Sequence, residues 1–268
     1  MSRKTYPSDL SDIEWLLLAS LIPAAKAGGR PRSVCIREIL NAIFYVIRSG
    51  CAWRMLPHDF PAWQTVDGYF RTWRKEGVWE KMNTALRESV RVQAGREAEP
   101  SAAIIDSQSV KTTETKGERG YDANKNVTGR KRHILVDVMG LLLVVLVHKA
   151  DIQERAGAKL LLQRAVTKGF ARLCLIWADG GYKGIEFTQW VWNLAGWLFE
   201  VVKRPEGSKG FVVLARRWVV ERTFGWLGRS RRLSKDYEQL PATSEAMIYA
   251  VMVRLMLKRL AQQPAIWV

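Results

Sequence analysis

An α/β domain preceded by a helical one is the fold class that these 268 residues predict. Three observations carry it. Apolar residues recur at helical spacing up to about residue 92. A polar stretch, 93–101 (QAGREAEPS), then interrupts every periodicity. From Ala102 onward, short β-rich runs alternate with helical ones, the pattern of a sheet covered by helices.

Taken in order, Ser11-Asp-Ile-Glu14 is a capping-box pattern that opens a first helix, ending before Pro23. Gly28-Gly-Arg-Pro-Arg32 reads as a basic connector. A second helix runs from Ser33 to Gly50, with Ile36, Ile39, Leu40, Ile43 and Ile47 on one face. Pro61 opens a third, with Val66, Phe70 and Trp73 facing inward and Gly77 closing it. A fourth spans about Trp79 to Val92. Short helices joined by Gly- and Pro-bearing turns fit a helix-turn-helix-like module. Arg71, Arg74 and Lys75 near the end of the third helix make it the candidate for DNA contact.

Beyond the linker, Ala102–Ile105 is a strand ending at Asp106. Ile134–Val138 and Leu141–Val147 flank a hairpin turn at Met139-Gly140. Glu154–Lys168 reads as a helix, Leu173–Trp177 as a strand ending at Asp179, and a helix starts near Ile185. A strand over Leu198–Val202, a helix over about Leu214–Arg229 carrying Glu221, and an amphipathic helix over Thr243–Ala261 complete the pattern. The expected division is 1–92 as a helical DNA-binding domain, 93–101 as linker, and 102–262 as the α/β domain with its C-terminal helix.

Composition narrows the function. The net charge is +16, and residues after position 100 contribute 27 basic against 15 acidic side chains. The excess is concentrated in Lys116–Arg132 and Lys203–Arg232, so a polyanion, nucleic acid above all, is the expected partner. The longest purely apolar run, Leu141–Val147, is too short to cross a bilayer, so no membrane association is expected. No apolar stretch follows the basic residues of MSRKTYPSDL, and the three cysteines form no CxxC pair. A reduced, cytoplasmic and nucleoid-associated protein is expected. Three scattered histidines argue against a His/Cys zinc site, and Ser107 and Ser109 have no evident His–Asp partner.

The carboxylates are more specific. Asp106 and Asp179 each follow an apolar run, at strand ends where α/β sites assemble. Gly180-Gly181 after Asp179 allows a sharp turn. Glu221 sits in a helix among Arg216, Arg217 and Arg222. Three converging acids repel one another unless a cation intervenes, and hard oxygen ligands select Mg²⁺, with Mn²⁺ as the alternative. Two such ions suit an in-line displacement at phosphorus. Asp122 and Asp137 read as structural acids, His133 as a packing residue near the first strand, and Trp15, Trp73 and Trp218 as core. Tyr182 and Lys183 follow Asp179 closely enough to meet DNA.

Four segments, Ile104-Ile-Asp-Ser-Gln-Ser-Val-Lys111, Gly129-Arg-Lys-Arg-His-Ile-Leu-Val-Asp137, Trp177-Ala-Asp-Gly-Gly-Tyr-Lys-Gly184 and Arg217-Trp-Val-Val-Glu-Arg-Thr-Phe-Gly-Trp226, resemble the DDE transposases of bacterial insertion sequences, most of all family five. Cys51-Ala-Trp-Arg-Met-Leu-Pro57 and Trp63-Gln-Thr-Val66 resemble that family's N-terminal region, so the likeness runs nearly end to end. It implies a ribonuclease-H-like catalytic domain with Asp106, Asp179 and Glu221 as catalytic residues and ligands of two Mg²⁺ ions. It further implies binding of terminal inverted repeats, cleavage and strand transfer on double-stranded DNA, and a homodimer or larger assembly when two ends are joined. Lys111, Arg130, Lys131, Lys183, Arg217, Arg222 and Arg229 join Arg71, Arg74 and Lys75 as expected DNA contacts. Two positions depart from the pattern of related elements: Leu214 stands for a tyrosine seven residues before the glutamate, and Gly228 for a lysine seven after it. Arg229 or Arg231 is expected to supply that cation. The alternatives are a structure-specific nuclease of the same fold and a catalytically inactive DNA-binding derivative.

Overall fold

The computed structural model describes residues 3–25, 32–114, 117–202 and 216–262. The basic connector from Gly28, the residues Lys203 to Lys209 and the expected helix start at Leu214 lie outside them. The chain forms two compact units.

The first unit is helical. Helix α1 (Asp12–Ala19) opens with the capping box read from sequence: Ser11 Oγ accepts from the Glu14 amide, and Glu14 accepts from the Ser11 amide. Helix α2 (Ile36–Ser49) ends at Gly50, whose φ of +75° a side chain would resist. Helices α3 (Trp63–Lys75) and α4 (Val78–Gln93) are separated by Glu76 and Gly77. Val66, Phe70 and Trp73 are buried as expected, and Trp79 meets Phe70 and Trp73 with ring centroids 5.7 and 5.6 Å away. Two 3₁₀ turns in this unit, Trp53–Met55 and Arg231–Leu233, have no counterpart in the sequence expectations.

This unit is not continuous in sequence. It spans Met1–Arg96, Arg229–Ser234 and Ala246–Val268, and so takes in most of helix α8 (Pro241–Ala261). The grouping differs from the division at residues 93–101, which assigned that helix to the α/β domain. Its physical reason is Glu14, a carboxylate only 6% exposed. Its ion-pair partner is Arg254 of α8, which also donates to the Asp9 carbonyl and lies over the Phe44 ring.

The second unit, Glu97–Gly228 with Lys235–Glu245, is built on one mixed sheet. Strand β1 (Ala102–Lys111) pairs antiparallel with β3 (Val127–Asp137) and parallel with β5 (Leu175–Ala178). Strand β4 (Leu142–Lys149) and the short β2 (Gly120–Asp122) add to β3, and β6 (Leu198–Val201) extends the sheet parallel to β5. Helices α5 (Glu154–Lys168) and α6 (Ile185–Ala195) bury Ala103, Ile105, Ile176 and Ala178 on one face. Strand side chains alternate between faces, so Ile104, Asp106, Trp177 and Asp179 belong to the other face. Helix α7 (Trp218–Gly228) contacts β1. This is a helical region followed by a mixed-sheet α/β domain, an arrangement consistent with a ribonuclease-H-like core.

Asp106 does not end its strand. β1 continues to Lys111 because β3 pairs with it that far, from Asp106↔Ile134 to Lys111↔Gly129. What ends near Asp106 is the parallel ladder to β5, whose last pair is Ile104↔Trp177. Among the described residues no helix is long and apolar enough to cross a membrane.

Candidate active site

The parallel register brings the two aspartates together. Two residues beyond Ile104↔Trp177 on each strand stand Asp106 and Asp179, side by side on the same face past the end of the ladder. Burial pushes the Asp106 carboxyl up to about 7, and neighbouring Asp179 pushes the same way; the Ser107 amide, Lys125 and Arg217 oppose them. The Ser107 N–H donates to Asp106 Oδ1 at 2.7 Å. Asp179 caps the 3₁₀ turn Gly180–Tyr182, accepting from the Gly181 amide at 2.9 Å.

Helix α7 supplies the third acid. Thr223 Oγ1 donates to the Gly140 carbonyl in the β3–β4 turn at 2.9 Å, and Arg222 donates to the Met139 carbonyl at 3.0 Å. A side chain at Gly140 would come within 2.7 Å of Thr223 Oγ1, so glycine is what lets the helix dock this closely. The turn itself is held by Asp137, fully buried and accepting from the Met139 and Leu141 amides. Docked in this way, α7 leaves Glu221 exposed. Arg217, one turn earlier, places Nη2 3.5 Å from Glu221 and 3.7 Å from Asp179, joining two of the three acids through one guanidinium. Among the described residues no three His, Cys, Asp or Glu side chains are grouped so as to hold a metal ion.

Two family models match this chain. Residues 10–83 match "Putative transposase of IS4/5 family", and residues 97–256, more than half of the chain, match "Transposase DDE domain". The chain belongs to the DDE transposase family. Among curated relatives of this DDE transposase, it is 29% identical over 110 residues to "Insertion element IS402 uncharacterized 16.2 kDa protein" of Burkholderia cepacia, covering 38% of this chain and 72% of that one. It is 28% identical over 102 residues to "Uncharacterized protein y4sN" of Sinorhizobium fredii (strain NBRC 101917 / NGR234), covering 38% and 75%.

Several residues expected at DNA stand elsewhere in this family member. Arg130 is 1% exposed and donates to the carbonyls of Glu118, Glu238 and Gln239 while pairing with Asp236. Lys131 is 3% exposed and bound to the Ile152 carbonyl, Asp122 and Glu154. Neither offers a face to a phosphate, because β3 is covered on both of its faces at this point. Tyr182 is likewise buried, its ring edge-on to His133. Trp218, expected in the core, is 38% exposed and covers the Arg222 guanidinium, which lies between the rings of Trp218 and Trp226. Arg71, Lys75, Lys111, Lys183 and Arg229 are exposed, Arg71 beside Asp67; Arg74 and Arg222 are half-buried.

One acid escaped the sequence expectations. Glu154, first residue of α5, accepts from Ser107 Oγ at 2.6 Å and pairs with Lys125 and Lys131 at 3.3 and 3.4 Å. Beneath it His133 Nδ1 and His148 Nε2 are 2.8 Å apart, and His148 Nδ1 donates to the Lys149 carbonyl. An acid in a helix's first turn is too common in sequence to single out.

Proposed function

We propose that this chain is a transposase that binds the terminal inverted repeats of its insertion sequence and cleaves and rejoins DNA with Asp106, Asp179 and Glu221. The observation that carries the reading is the register that sets Asp106 beside Asp179 on the sheet face opposite α5 and α6, with Arg217 linking Asp179 to Glu221. The donor set fits a hard cation: three carboxylates, one of them held protonated to about neutral pH by burial and a like-charged neighbour. Asp106, Asp179 and Glu221 would hold two Mg²⁺ ions, with Mn²⁺ as substitute, which when bound supply an activated nucleophile and stabilise the leaving oxygen.

The protein's own groups have separate tasks in this reading. The Ser107 amide fixes the Asp106 carboxylate from behind, and the Gly181 amide fixes Asp179. Arg217, 24% exposed, turns toward a phosphate near the scissile bond once cations satisfy its two acids. Exposed Arg71 and Lys75 of α3, with Arg74, serve end recognition in a helix-turn-helix-like manner, and Lys111, Lys183, Arg222 and Arg229 add backbone contacts. Joining two ends requires at least two copies of the chain.

A labelled duplex carrying the element's terminal repeat, incubated with Mg²⁺, tests the reading. The full-length protein should nick it at the repeat end, while Asp106→Ala, Asp179→Ala and Glu221→Ala should bind it and leave it intact. Cutting by one of these variants would remove that residue from the site. Cutting of branched duplexes in preference to repeat ends would favour a structure-specific nuclease instead.

A further inference from the structure

Arg217 accounts for positive charge on the Asp179–Glu221 side of the three acids; the Asp106 side has a cation of its own. Lys125, in the connection between β2 and β3, places Nζ 3.3 Å from the Ser107 carbonyl and 3.3 Å from Glu154 Oε1. Ser107 is the residue whose amide holds Asp106, and the charge of Lys125 acts on the Asp106 carboxyl. The backbone anchor separates this lysine from an ordinary surface ion pair, which fixes a side chain only loosely. Glu154 also pairs with Lys131, yet the two lysines differ in exposure: 4% for the Lys131 side chain and 41% for that of Lys125. An ammonium has three N–H donors, and the two contacts leave one for a ligand.

The surroundings keep this cation in place. Glu154 accepts from Ser107 Oγ, pairs with buried Lys131 and opens α5, so it is itself fixed. Asp122 is committed to Ser109 Oγ, the amides of Asn124 and Lys125, and Lys131. The turn containing Lys125 is therefore tied to β2 by its own backbone.

We infer that Lys125, positioned by Glu154 and the Ser107 carbonyl, is a phosphate-binding residue of the active site and contacts the DNA backbone beside Asp106. This inference rests on the transposase reading for its substrate, DNA, and its test does not depend on cleavage.

The experiment measures binding of the full-length protein to the terminal-repeat duplex across a salt series, with Ca²⁺ in place of Mg²⁺. Loss of one phosphate contact lowers the slope of log K against log salt by ~0.9. Lys125→Gln should show that loss, Lys125→Arg should restore most of it, and Lys159→Gln, on α5, should leave the slope unchanged. Single neutral methylphosphonate linkages walked across the repeat end should then find one position that weakens the parent protein and has no effect on Lys125→Gln. Glu154→Gln, which keeps the side-chain shape but frees the lysine, should weaken the same position partially. An unchanged slope together with unchanged methylphosphonate sensitivity in Lys125→Gln would overturn the inference. A parent protein that binds with the expected slope but never cuts in Mg²⁺ would instead count against the transposase reading alone.

Discussion

Arg217 shares one guanidinium nitrogen between Glu221, at 3.5 Å, and Asp179, at 3.7 Å. Its positive charge offsets both acids at once. Replacing it by alanine removes that balance and, in the proposed mechanism, a phosphate contact made as charge develops. Arg217→Ala should slow cleavage at least about tenfold, equivalent to roughly 1.4 kcal/mol, in single-turnover assays. Its unfolding midpoint should change little, since the side chain is partly exposed.

Arg222 should behave differently. Its guanidinium lies 4.2 and 4.6 Å from the Trp218 and Trp226 ring centres and donates to the Met139 carbonyl. Arg222→Ala should therefore cost about 1–2 kcal/mol of stability, read by denaturant unfolding, with a smaller effect on DNA affinity. A variant as stable as the parent but poor in binding would show that Arg222 serves DNA contact alone and holds nothing in the fold.

Gly157 sits where α5 crosses the two histidines. A β-carbon there would lie 2.5 Å from both His133 Cε1 and His148 Nε2. Alanine gains up to ~1 kcal/mol in helix propensity, but overpacking in a rigid layer costs roughly 1–3 kcal/mol. Gly157→Ala should be net destabilising, and thermal unfolding decides the sign.

Burial pushes the His133 imidazole well below its usual range and lowers His148 too. Each resists protonation in the fold, so the unfolded chain takes up protons first as pH falls through 6.5. Their contribution to stability is thus complete above that value and is lost below it. The unfolding midpoint should drop between about pH 7.5 and 5. His133→Asn should flatten that dependence even if it lowers the midpoint throughout.

Arg254 and Glu14 have side chains 14% and 7% exposed. Removing one partner leaves a buried charge, at a cost of about 3 kcal/mol. Arg254→Met should show this by chemical denaturation, and Arg254→Met with Glu14→Gln should recover part of it. A fragment ending at residue 92 should be unstable for the same reason, so end binding is best measured on the full chain.

Most elements were legible because each carries its own periodicity: α5 was expected over Glu154–Lys168 and is found there. Asp106, Asp179 and Glu221 stood out through the segments around them. What the sequence concealed is what register decides. Ser107 to Lys111 are too polar to suggest a strand, yet β3 pairs with all of them. Arg130 and Lys131 count as surface charge in any composition; they are buried because β3, paired with β1, β2 and β4, is covered on both faces, which no local pattern reveals. Lys125 and Glu154 are 29 residues apart, and no local pattern foretells that they meet.

The interruption of the helical unit bears on how a new copy comes into being. At ~5–20 residues per second, the ribosome spends on the order of ten seconds on Glu97–Gly228 before the remaining pieces of that unit can follow. Through that interval Glu14 has no Arg254 to meet, and Phe44 of α2 lacks the guanidinium that covers its ring. These contacts of α1 and α2 therefore come into being only after the sheet that follows them in the chain has been synthesised.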